Sequence, residues 1–399
     1  MKNSERVKLE AISCREKFNN TENFLGSAIK YSTEKIMEIL PRFVHKYPTA
    51  CSKDGVYLQA KNGLDIMGTD WTQGFWTGML WLSYELTGNE LYRAAAEAEF
   101  DDYQKRYDDF ECLYHHDMGF LYSPSIVAQY RITGIKKAQK LGLDIADLLS
   151  KRYCENAKII HVRDLNQQGV FIIDCLMNLP LLFWASTQTG DRQYYFKALN
   201  HVYQAMNYMI RDDASTYAVY KIDEISGEPI EGSQGQGLNT ESCWSRGQAW
   251  MIYGLALAYK YCKEPEVLKI AKCAANYYIN RLPSDNICCW DLVYTADNDP
   301  RDSSAAAVAA CGLLEISKYF SDDDAEKEFY KKAAENMLYN MHKNYSTKGT
   351  SADGLLLHGV YVKDKGDGGL GDDECCIWGD YFYLEGLMRL KNPDWNPYW

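Results

Sequence analysis

A helix–stop–restart phrase recurs along this chain and narrows its fold more than any other feature. "YELTGNELYRAAAEA" (Tyr84 to Ala98) reads as a helix that stops at Thr87-Gly88 and restarts after Asn89 as an Ala-rich helix. Glycine readily takes the left-handed conformation that ends a helix, and an asparagine oxygen caps the next one. The phrase returns as "YRITGIKKAQKLGLDIADLL" from Tyr130 and as "STQTGDRQYYFKALNHV" from Ser186. Looser copies begin at Ala258 and Glu315, and a partial one at Tyr381. Gly88, Gly134 and Gly190 mark an irregular repeat of roughly 50 residues, one helical hairpin per unit.

Each hairpin pairs two kinds of helix. The first is apolar and rich in small residues, as in "GFWTGMLWLSYEL", "RGQAWMIYGLALAY" and "SSAAAVAACGLLEIS"; the second is amphipathic and charged. A helix apolar all round is enclosed on every side, whereas an amphipathic one forms an outer layer. Some six such units predict an all-α fold, an (α/α)6 barrel of inner helices ringed by outer ones. Residues 25–399 form this single domain and residues 1–24 a polar N-terminal arm. An open helical-repeat scaffold is the alternative architecture, with a more uniform repeat and polar capping units. Short extended pieces, "YAVYKID" and "LLLHGVYVKD", add hairpins at one mouth.

A net charge of −12 argues against nucleic acid and acidic membrane surfaces, both of which need a basic face. Thirteen cysteines occur without CxxC or zinc spacing, which reads as reduced thiols and a cytoplasmic location. "MKNSERVKLEAISCREKF" has no apolar signal region, and no apolar run is long enough to span a membrane.

Two acids then stand out. Asp174 lies in "FIIDCLMNLPLLFW", the one charge among apolar neighbours, where an ionised carboxylate is costly. Asp117, in "YHHDMGFLYSPSIVAQY", precedes Pro124 much as Asp174 precedes Pro180. Proline favours a helix's first turn, so Ser123 and Asn178 are the expected caps and each acid belongs to the loop feeding an inner helix. In a ring of hairpins those loops share one mouth, and two carboxylates facing one cavity suit general acid/base work. Burial would raise one pKa so that it holds a proton near neutrality. One of His115 and His116 is expected to orient Asp117. In "NTESCWSRGQAWMIYG", Arg246 and Trp250 share a helix face, as do Trp244 and Gln248. An arginine beside indoles suits an acid sugar, gripped bidentately by the guanidinium and covered by a ring. "GDGGLG" (366 to 371) is followed by three acidic residues that would repel a pyrophosphate.

At these residues the chain resembles the unsaturated glucuronyl hydrolases of glycoside hydrolase family 88, from about residue 66 onward. The blocks "WTQGFWTGMLWLSYELTG", "HHDMGFLYSPS", "IIDCLMNLPLLFWAS", "WSRGQAWMIYGLALAY" and "PRDSSAAAVAACGLLEI" carry the resemblance in order. It implies an (α/α)6 barrel and release of a 4,5-unsaturated uronic acid from lyase-generated disaccharides, with glycosaminoglycan types favoured. The reaction hydrates the C4=C5 enol ether instead of displacing at the anomeric carbon. It further implies Asp174 as general acid and base and Asp117 as the second essential carboxylate. Trp76, His116, Gln236, Trp244, Arg246 and Trp250 would contact the sugar, with no cofactor or metal. Ala218 and Gly235 stand where the family often has histidine or arginine, which alters the aglycone and water-side contacts. A rhamnogalacturonyl-type hydrolase acting on pectin-derived disaccharides is the alternative enzyme, and a helical-repeat scaffold the alternative of another class.

Overall fold

The computed structural model describes residues 4–60, 70–162, 169–366 and 369–399. In chain order the first helices are α1 (Leu25–Ile39), α2 (Gln73–Thr87), α3 (Glu90–Ala98), α4 (Phe100–Asp108) and α5 (Met118–Tyr122). A wide π-type turn, Ser123–Val127, leads into α6 (Ala128–Thr133) and then α7 (Lys136–Ser150). Next come α8 (Cys175–Asn178), α9 (Pro180–Thr189), α10 (Arg192–Gln204), α11 (Ser245–Cys262) and α12 (Pro265–Ile279). The last are α13 (Ser303–Ser317), α14 (Ala325–Asn340) and α15 (Ile377–Lys391). None of them is long and apolar enough to cross a membrane.

The two sequence classes become two layers. α2, α5, α8–α9, α11, α13 and α15 are largely buried, and α13 is buried along its entire length. α7 and α12 bury one face each. The buried helices pack in sequence order: α2 on α5, α5 on α8, α8 on α11, α11 on α13 and α13 on α15, with α15 returning to α2. The stops fall where the phrase predicts. Gly88, Gly134 and Gly190 end their helices with φ of 70°, 72° and 77°, a region that costs glycine little. Asn89 and Asp191 accept hydrogen bonds from Leu91 and Gln193 N–H, capping the outer helices that follow.

The extended pieces lie at the N-terminal ends of the inner helices. Val219–Ile222 pairs antiparallel with both Val170–Ile172 and Pro229–Ser233, and Gly359–Val362 pairs with Leu370–Glu374. Near the helices' C-terminal ends, Arg389 donates to Glu315 at 2.7 Å and to Glu385 at 2.9 Å. The Trp399 indole donates to Glu385 at 2.8 Å and its ring stacks on Phe382. The N-terminal segment is strapped to the outer layer: Glu10 pairs with Arg281 at 3.1 Å, and Val7 and Phe18 are buried.

One local expectation is overturned. Ser123 and Asn178 cap nothing at the prolines, because α5 and α8 begin earlier, with Asp117 and Asp174 themselves at the N-cap positions. Pro124 is accommodated inside the helical path, where the widened turn takes up its missing N–H and its ring. Pro180 opens α9 immediately after the helical residue Leu179. Each acid therefore stands at a helix N-terminus, one turn or more ahead of its proline.

Candidate active site

Asp117 and Asp174 sit where aspartate usually caps a helix, and neither carboxylate does so. Such a cap stabilises a helix by about 0.5–2 kcal/mol. Both carboxylates turn instead to His116, the residue before Asp117. His116 is fully buried, with Nε2 3.1 Å from Asp117 Oδ1 and 3.3 Å from Asp174 Oδ1. One oxygen of each carboxylate and a His116 nitrogen all lie within 4.8 Å of one another. The side chains of Asp117 and Asp174 remain 16% and 21% exposed, so solvent and solute reach both. His115 Nδ1 accepts the Asp117 backbone N–H at 3.1 Å and lies 3.3 Å from Asp117 Oδ2.

The three groups take different charges. Burial alone would make His116 less basic, but Asp117 and then Asp174 overcome it and hold the imidazole well above its usual pKa. Burial would likewise raise Asp117, yet the His116 charge and the His115 contact hold it far below the usual carboxylate range. Asp174 goes the other way. Burial pushes it up to about 7; His116 offsets part of this, and the negative charge of Asp117 adds to it. The site thus holds an anion, a cation and a carboxylic acid poised near neutrality. Two carboxylates of one sequence type have been given opposite protonation states by their surroundings, the arrangement acid/base chemistry needs.

A second buried histidine, His201, stays neutral. Burial lowers its pKa to about 3, and His116 adds to the effect. Its Nδ1 accepts from Ile160 N–H at 2.9 Å. His116 with the two aspartates forms a triad of metal-ligand type. Among the described residues, Cys154, His161 and Glu224 form another, in which His161 Nε2 already bonds Glu224 at 2.8 Å.

The predicted sugar contacts divide. Trp244 and Gln236 stay with Arg246 at the N-terminal end of α11. The Trp244 ring lies 4.5 Å from the Arg246 guanidinium, and its indole N–H has no acceptor among the described residues. Gln236 Oε1 accepts from Arg246 at 2.5 Å. Arg246 itself departs from expectation. It is 2% exposed, lies between Trp244 and Trp378, and donates to the Val360 and Tyr361 carbonyls as well as to Gln236. Both terminal nitrogens are engaged in these bonds. The guanidinium staples the 359–374 hairpin to α11 and sends its charge toward Asp174. Trp250 points into the aromatic core, 5.3 Å from Phe120 and 5.5 Å from Phe382. Trp76 is also buried, 5.4 Å from the Phe43 ring. An indole on an enclosed inner helix has core on every side.

Residues 35–369 match the family model described as Glycosyl Hydrolase Family 88. The chain belongs to this family. It is 40% identical over 403 residues to the unsaturated chondroitin disaccharide hydrolase of Streptococcus pyogenes serotype M1, covering 98% of each chain. It resembles the crystal structure of unsaturated glucuronyl hydrolase from Streptococcus agalactiae with a TM-score of 0.91 at 38% identity, over 98% of this chain and 99% of that one. A mutant of the S. agalactiae enzyme complexed with dGlcA-GalNAc6S aligns with a TM-score of 0.85 at 38% identity, over the same shares.

Within this family 88 chain, two residues touch the triad in roles the sequence did not suggest: Cys175 went unremarked, and Asn178 was expected only as a helix cap. Cys175 is buried with its thiol against His116. Asn178 reaches both acid-bearing segments: its amide nitrogen lies 3.3 Å from Asp117 Oδ1 and from the Asp174 carbonyl, and its Oδ1 accepts Phe120 N–H at 2.8 Å. The one available signal was spacing, since Asn178 follows Asp174 by one helical turn.

Proposed function

We propose that this chain, a family 88 glycosyl hydrolase, releases the 4,5-unsaturated uronic acid from glycosaminoglycan-derived disaccharides by hydrating the C4=C5 enol ether. Asp174 gives its proton to C4. Water adds at C5, and the Asp174 carboxylate then accepts a proton from it. The resulting hemiketal opens and expels the aglycone. Asp117, held ionised, accepts hydrogen bonds from ring hydroxyls, and cationic His116 keeps the two acids apart in protonation state. No displacement occurs at the anomeric carbon, so the carboxylate spacings that distinguish inverting from retaining glycosidases do not apply.

The observation that carries this reading is a carboxyl poised near pH 7 beside a fully ionised one, in a site open to solvent. The relatives' names favour glycosaminoglycan disaccharides over pectin fragments and over a scaffold role. In the same reading, Trp244 and Gln236 contact the sugar, the inner helices close as an (α/α)6 barrel from residue 25 onward, and residues 4–24 strap its outside. The packing order of the buried helices supports the closure. Thirteen free cysteines fit a reducing cytoplasm.

The test is a panel of lyase products from chondroitin, hyaluronan, heparin and pectin, followed by loss of the ultraviolet absorbance of the conjugated C4=C5 bond. Turnover of the chondroitin or hyaluronan products is expected. Absence of turnover across the panel refutes the reaction, and turnover of the pectin product alone refutes the substrate class.

A further inference from the structure

We propose that Asn178 is a positioning residue: it caps the helix of Asp117 from across the site, releasing the Asp117 carboxylate from that duty and tethering it toward Asp174. The inference rests on the reading of Asp117 and Asp174 as the working pair.

The first turn of α5 presents backbone N–H groups that require acceptors. Asp117, at the N-cap, is the natural supplier and does not supply. Phe120 N–H is answered instead by Asn178 Oδ1 at 2.8 Å, from α8. That bond orients the amide, because Oδ1 must face the N–H. The NH2 group is then aimed at Asp117 Oδ1 and at the Asp174 carbonyl, 3.3 Å from each. Asparagine suits this post because it carries an acceptor and a two-hydrogen donor on one rigid plane. Aspartate would put a like charge beside Asp117, and leucine would leave both partners unmet.

Gly119 makes the approach feasible. A Cβ there would run into the Asn178 Cα and come within 2.7 Å of its Oδ1, so the two backbones meet at van der Waals distance only without a side chain. The other charged or titratable groups around the amide are His115 and His116 from the preceding loop, Cys175 on α8 and Arg246 on α11. None of them bonds Asn178 among the described contacts.

The experiment is a double-mutant cycle with Asn178→Ala and Asp117→Asn, read as single-turnover rates on an unsaturated disaccharide that the parent enzyme cleaves. Asn178→Ala is expected to lower kcat roughly ten- to hundredfold with KM changed less than about threefold, as for loss of an orienting contact. In the Asp117→Asn background the same substitution is expected to cost less than about threefold, because its effect passes through Asp117. An unchanged kcat, or an equal loss in both backgrounds, overturns the proposal. If Asn178→Ala does not fold, Asn178→Ser, which keeps a neutral hydroxyl able to accept a hydrogen bond, replaces it in the cycle under the same criteria. The substrate panel uses the unaltered enzyme, so failure of the cycle leaves the proposed reaction standing.

Discussion

Near the C-terminal ends of the inner helices, the Arg389 side chain is 1% exposed and meets Glu315, Glu385 and the Tyr253 hydroxyl, while the Trp399 indole completes Glu385. At their N-terminal ends, His116 is as deeply buried, yet both aspartates beside it keep part of their surface open and Asp174 Oδ1 has no hydrogen bond among the described contacts. The first cluster is matched group for group, and burial there holds the chain together. The second is left short of partners. Burial and the charge of Asp117 keep Asp174 protonated near neutrality, and the exposed part of each carboxylate leaves it available to a solute. One helical scaffold thus uses buried charge for cohesion at one end and for reactivity at the other.

The comparison breaks most visibly at Asp174. Asp174→Asn is expected to lower the rate of C4=C5 loss roughly a thousandfold or more, the scale of a lost general acid. The fold should tolerate it. The folded pKa of Asp174 is raised from the usual 3.8 to about 7, so the stability linked to its protonation is present at low pH and lost as pH rises through about 7. Above that, the parent protein carries an ionised carboxylate in an apolar setting and the asparagine variant does not. A thermal melt at pH 8 should therefore give the variant a Tm no lower than the parent's. A clear drop would show that Asp174 belongs to the cohesive kind of cluster.

Arg389→Met is the converse. Removing Arg389 leaves Glu385 without its cation and Glu315 with Lys318 alone at 3.8 Å, and breaking a buried pair costs about 3–5 kcal/mol. Denaturant unfolding should show that loss, while kcat measured well below the melting range stays within about twofold of the parent. A large fall in kcat with stability unchanged would reverse the roles of the two ends.

The smallest effects separate the clusters by pH. Activity should fall about tenfold per unit as pH rises above about 7, where Asp174 loses its proton. Stability should erode at the opposite limit. Burial would raise the pKa of Glu315, but Arg389 overrides it and holds the group at about 2. Its contribution is present above the usual carboxylate range and is lost as pH falls toward 2. Acid melts of the parent and of Arg389→Met should converge there. Parallel curves would remove Glu315 from the explanation.

The two ends also differ in how far they could be read from the chain. Asp174 and Asp117 announce themselves, one as a lone charge in an apolar run and the other as its counterpart ahead of a second proline. The cluster at the other end goes unnoticed, because Arg389, Glu315 and Tyr253 come from three helices far apart in sequence and each looks like ordinary surface charge or core. Arg246 shows a related gap. Its neighbours in sequence suggest a free guanidinium under indoles, and the carbonyls that occupy it arrive from the hairpin more than a hundred residues later. Trp76 and Trp250 look like sugar platforms until the layers close around them.

What the sequence determined by itself is periodic and local: apolar inner helices, amphipathic outer ones, glycine stops, and the two acids at corresponding places. These follow from side-chain chemistry within a few residues, which acts before any distant contact forms. Only the tertiary structure decided which carboxylate keeps its proton, where the arginine's hydrogen bonds go, and that an asparagine on one helix caps the next. Each of these depends on groups brought together from separate helices, where burial and charge act through space and the order of residues along the chain carries no record of them.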